Sequence, residues 1–149
     1  MKTLASEKVL AETRSRLRRV TPDDRPLWGG MSAIQMVEHL SCAYDVALGD
    51  REVTAIPGPP PWFLKFMALR TGIRWPHGTP TTPELLAVLA QGPAAPFPDL
   101  VEQALGKMEA LAHGARCQSS HPMFGHMSAG DWNRWGYLHA DHHLRQFGR

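Results

Sequence analysis

Two histidines sit inside the apolar stripe of the stretch from Trp132 to Phe147, and this constrains the fold more than any other feature of the chain. At about 100° per residue on an α-helix, Trp132, Gly136, His139, His143 and Phe147 fall within roughly 80° of arc. The face that must meet the core therefore carries two imidazoles one turn apart. His142 falls on its shoulder. A buried imidazole without a partner leaves ring nitrogens unsatisfied, at about 1–3 kcal/mol for each lost hydrogen bond. Either a second element meets this helix and supplies partners, or the two rings share an ion. Histidines at i and i+4 can share one because they project over the same turn.

The rest of the pattern is helical as well. Val9, Leu10, Thr13, Leu17 and Val20 predict a helix from Ser6 to Val20, with Arg14, Arg16, Arg18 and Arg19 as a basic surface near its C-terminal end. Ser32 and Gln35 form a capping box that opens a helix from Ala33 to Leu48, stopped by Gly49. Pro57 to Pro61 reads as loop, followed by a short apolar helix from Trp62 to Leu69. Thr82, Pro83 and Glu84 supply an N-cap, an N1 proline and a first-turn acid for a short helix from Pro83 to Ala90. Leu100, Ala104, Leu105, Met108 and Leu111 mark a third long helix, from Phe97 or Asp99 to Ala112. Thr71 to Pro80 and His113 to Met127 read as irregular, and Ser128 with Asp131 caps the last helix. No stretch reads as a convincing strand. The fold class is all-α: a four-helix bundle with two short helices in a long middle connection, in one domain over residues 1–149.

The helix opened by Ser32 offers the partner that the histidine pair requires. His39 lies at the edge of its apolar face of Met36, Leu40, Ala43 and Ala47, where a side chain can reach into the cleft between helices. Three neutral imidazoles from two helices make a metal site with open positions, as a catalytic metal needs. Zinc, nickel or iron suits such a donor set. Gln146, Gln35, Glu38 and His142 are candidates to orient the rings or touch a substrate. His126 is a candidate pocket acid or base, and His121-Pro122 reads as loop packing. Cys42, one turn beyond His39, reads as a small buried residue rather than a ligand. A structural metal in a non-enzymatic binding protein needs the same three histidines. A fourth protein ligand closing the site would mark that case.

Charge and cysteine content exclude other classes. Two cysteines, Cys42 and Cys117, are too few for a disulfide scaffold, and a net charge of +2 is too small to argue for nucleic acid. No segment approaches the ~20 apolar residues of a membrane span, and the first ten residues carry Lys2, Glu7 and Lys8 rather than a signal-peptide core. The expectation is a cytoplasmic, soluble protein with neither nucleic acid nor membrane as partner.

Three stretches resemble the DinB/YfiT-like superfamily of metal-binding four-helix bundles. They are Trp28-Gly-x-Met31-Ser32-x-x-Gln35-Met36-x-x-His39-Leu40, then His121-Pro122-x-Phe124-Gly125-x-Met127-Ser128 with Asp131-Trp132, and His139-x-x-His142-His143-Leu144-x-Gln146-Phe147-Gly148. The resemblance implies an up-down-down-up bundle with His39, His139 and His143 as ligands of one divalent ion. His142 matches a family histidine that is not normally a ligand. The resemblance further implies a thiol-dependent transferase with a low-molecular-weight thiol as cosubstrate, or a hydrolase, and by analogy a homodimer. The middle of the chain, Arg51 to Gly114, resembles nothing in that superfamily.

Overall fold

The computed structural model describes residues 1–79, 81–114 and 117–149. Pro80, at the end of the expected irregular stretch, and Ala115 and Arg116, inside the expected loop, lie outside the described residues. Among the described residues six helices form in order: α1 Glu7–Arg18, α2 Ala33–Leu48, α3 Pro61–Arg70, α4 Pro83–Ala90, α5 Phe97–Ala112 and α6 Ala129–Gln146. The helix ends follow local chemistry. At α2, the Ser32 side chain accepts from the Gln35 N–H while Gln35 caps the Ser32 N–H, and Gly49 closes the helix at φ +83°. Ser128 and Asp131 do the same at the start of α6.

Long-range contacts set the helix directions. The Leu4 N–H, just before α1, donates to the Asn133 carbonyl, and Arg16 pairs with Asp141, so α1 and α6 run parallel. Tyr44 donates to the Gly136 carbonyl while His39 meets His139 and His143, so α2 opposes α6. Glu38 accepts from the Ala94 N–H and Lys107 reaches Ser41 and Asp45, which makes α5 parallel to α2. Arg18 with Glu102 and Arg14 with Glu109 run α1 against α5. The order is therefore up, down, down, up. These pairs also occupy Arg14, Arg16 and Arg18, the three arginines of α1, with the chain's own carboxylates.

Trp132, Tyr44, Leu17, Met36, Leu40, Leu105, Met108, Leu111 and Leu144 fill the centre of the bundle and are almost wholly buried. At Gly136 the helices approach so closely that a Cβ would lie 2.7 Å from Leu4 Cδ1 and 2.9 Å from Leu111 Cδ2. Arg70 and Lys65 of α3 both reach the buried Asp131 at the start of α6, and this fastens α3 over that end of the bundle.

Two expectations need correction. Pro61 belongs to α3 as its N1 residue, where a missing N–H and a fixed φ are tolerated. The stretch before α6 contains a small antiparallel ribbon, β1 Ser120–His121 with β2 Gly125–His126. Two-residue strands carry no readable alternation; Gly125 at φ +63° permits the reversal. Among the described residues, no helix is long and apolar enough to cross a membrane.

Candidate metal centre

α2 and α6 bring His39, His139 and His143 together. The Nε2 atoms of His39 and His139 lie 3.0 Å apart and those of His143 and His139 lie 3.2 Å apart. One ligand atom from each ring falls within 4.8 Å of the other two. For metal–nitrogen bonds of about 2.0–2.1 Å, tetrahedral nitrogen ligands sit about 3.3–3.4 Å apart. The cluster is therefore already close to the spacing an ion requires. Among the described residues, no cysteine, aspartate or glutamate joins the three.

All three rings are buried and electrically neutral. Burial pushes His39 down to about 3 and His143 down to about 4, and it holds His139 well below the ordinary histidine value. Neutral imidazole is the form that binds a metal. The tautomer of His143 follows from its neighbour. Gln146 Nε2 donates to the Trp28 carbonyl at 2.8 Å, which turns Gln146 Oε1 toward His143 Nδ1 at 2.9 Å. His143 Nδ1 must carry the hydrogen, leaving a lone pair on Nε2 that faces the other rings.

Without an ion the cluster is held only weakly. A hydrogen on His139 Nε2 would have to be shared between the Nε2 lone pairs of His39 and His143. The Nδ1 atoms of His39 and His139 are also buried without a partner. A divalent cation at the centre would accept all three Nε2 lone pairs at once, so the donor set fits a metal.

Gly29 guards the Gln146 contact. It adopts φ +77°, and a Cβ there would lie 2.8 Å from Gln146 Nε2. Replacing Gln146 with leucine frees His143 to rotate and switch tautomer. The expected result is a 10- to 100-fold weaker metal affinity at unchanged helix content, measured by competition with a chromophoric chelator.

The three histidines form one wall of a cavity of about 460 Å³. Val46, Leu64, Met67, Phe124, Trp75 and Trp135 supply most of the other walls. Trp75 packs 6.0 Å from the His139 ring and 6.3 Å from His142, with its Nε1 donating to the Ala68 carbonyl. Trp28, also in the lining, stacks on the exposed His77 with ring centroids 4.1 Å apart.

A family model described as a protein of unknown function, DUF1569, matches residues 63–149. The chain belongs to the DUF1569 family. The match spans most of α3 through α6 and takes in His139 and His143, while His39 precedes it. No curated protein and no solved structure matches the chain.

Other candidate residues of this DUF1569 chain are placed differently. His142 lines the cavity, 5.2 Å ring to ring from His143, and its contacts are with Trp28, Trp75 and His77. Gln35 is engaged in the α2 capping box. Glu38 is buried, with Oε1 on the Ala94 N–H. His126 is exposed on β2 and offers its carbonyl to Lys65, away from the cavity lining. Cys42 is a buried free thiol outside the lining, its pKa pushed up by burial.

Sequence reasoning missed Trp75 and His77, and it saw only packing in His121. His121 lines the cavity, stacks on Phe124 at 4.4 Å, and its Nδ1 accepts the N–H groups of Met123 and Phe124. Their loops have no periodicity to read. For His121 the one available signal was the adjacent proline and the nearby Phe124 and Gly125.

Proposed function

We propose that His39, His139 and His143 hold one divalent ion (zinc, nickel or iron) and that the protein is a metal-dependent enzyme of the thiol-dependent transferase type. One observation carries this reading. Three neutral imidazoles converge at the wall of an apolar cavity, and no fourth protein ligand joins them among the described residues. A structural site is normally closed by a fourth ligand, whereas a catalytic one keeps a position for water or substrate. The reaction class rests on the resemblance to the DinB/YfiT-like superfamily. Residues 1–149 are read as one domain, since α1 and α6, at the two ends of the chain, pack together.

Within the site, burial keeps the ligand rings unprotonated, and Gln146 holds His143 in the tautomer that presents Nε2. Trp75 and Trp135 flank His139 and exclude water from its apolar side. Held by His39, His139 and His143, a divalent ion would supply a Lewis acid that lowers the pKa of a thiol or water toward neutrality. A metal-dependent hydrolase uses the same residues with water alone. In a non-enzymatic binding protein the metal would be structural, closed by a fourth protein ligand, or would serve to sense a ligand.

The test is a titration of the cobalt-substituted protein with small thiols, followed by its visible ligand-field spectrum. The expected result is a saturable new absorption with at least one thiol. A spectrum unchanged by thiols and by small anions means a closed site and ends the enzyme reading.

A further inference from the structure

The cavity beside the histidines has an unbalanced charge character. Among the described residues no aspartate or glutamate lines it, and Arg74 is the one fully charged lining side chain. The imbalance begins in the sequence: between Glu52 and Glu84 there is no carboxylate at all, while Lys65, Arg70 and Arg74 fall in that stretch. The same stretch forms α3 and the strap carrying Trp75, and so builds much of the cavity wall. Lys65 and Arg70 are paired with Asp131. Arg74 has no carboxylate partner among the described residues and borders both the cavity and a neighbouring surface groove.

Apolar walls strengthen this asymmetry, because charge of one sign beside a low-dielectric surface focuses its field into the cleft. A cation entering the cavity meets no carboxylate among the described lining residues, whereas an anion meets Arg74. A second observation points the same way. Trp28, another lining residue, has its Nε1 buried with no acceptor. An unsatisfied donor calls for a ligand with an acceptor atom. A volume of about 460 Å³ lies within the range of small-molecule sites and suits an aromatic or branched-alkyl body.

We propose that the cavity binds a small organic acid, with an apolar body among Trp75, Phe124 and Trp135 and a single anionic group at the mouth beside Arg74. This rests on reading the cavity as the substrate side of the three-histidine centre.

The test uses the protein as purified, with metal content determined on the same sample. N-phenyl-1-naphthylamine, an uncharged fluorophore, is bound and then displaced with 4-phenylbutyrate or 4-phenylbutylamine. These competitors share one body and differ in charge. The expected result is saturable binding, with the acid displacing the probe at about tenfold lower concentration than the amine. Arg74→Gln, a substitution at an exposed position, should bring the two within about twofold. Trp62→Ala, on the exposed side of α3, should leave both unchanged.

An amine as effective as the acid, or a preference that survives Arg74→Gln, overturns the assignment of the anion. Absence of saturable binding, or its loss in Trp62→Ala, overturns the cavity as the ligand site. The metal reading fails separately: one ion per chain without probe binding removes only this inference, and probe binding without metal removes only the three-histidine centre.

Discussion

His139→Ala is expected to reduce bound metal from about one divalent ion per chain to background. His139 is the middle ring of the cluster, with Nε2 3.0 Å from that of His39 and 3.2 Å from that of His143. Its removal leaves two imidazoles on different helices with nothing between them. His142→Ala is the informative companion, since it removes a neighbouring imidazole that meets aromatic rings instead of the Nε2 cluster. It should retain full occupancy. Elemental analysis after dialysis against a mild chelator reads both variants, with circular dichroism to confirm that each is folded. Equal metal content in wild type and His139→Ala would falsify the site.

The second large effect is on acid stability. His39, His121 and His143 have folded pKa values pushed down to about 3, 3 and 4, and His139 lies well below normal, with burial the leading cause in each case. The unfolded chain takes up these protons near pH 6.5, while the folded chain refuses them until far lower pH. The stability these groups contribute is complete above about pH 6.5 and is lost as pH falls toward their folded values. Between pH 6.5 and 5.5 each histidine held neutral removes about 1 kcal/mol, since the unfolded imidazole is only half protonated at the upper end, so four remove about 4 kcal/mol. That is a large share of the whole stability of many domains. For a chain of this size, the Tm of chelator-treated protein should fall by about 10–20 °C between pH 6.5 and 5.5. Carboxylates titrate mainly below this window, so they do not mimic the effect. A Tm constant over the same interval means the histidines are not held neutral in the folded state.

How much of this was legible in the sequence depended on the range of the interactions involved. The bounds of α2 could be read because Ser32, Gln35 and Gly49 act within one turn of the backbone they cap. Gln146 could be picked out as a partner of His143 because it lies three residues on, within helical reach. Gln35 and His126 lie elsewhere for the opposite reason. Closeness in sequence to a ligand or a motif did not decide where they pointed: Gln35 was taken by its own cap and His126 faced outward from a ribbon.

By itself the sequence determined the helices, their caps and the fact that α6 must bury two imidazoles, because these follow from local hydrogen bonding and a 3.6-residue period. The tertiary structure alone decided that Trp28, Trp75, His77 and His121, from three separate loops, gather around His142 and the three-histidine cluster. It also decided that Arg74 stands at an apolar cavity with no carboxylate among the described lining residues. Loop positions are set by contacts between residues far apart in the chain, and no local pattern encodes those.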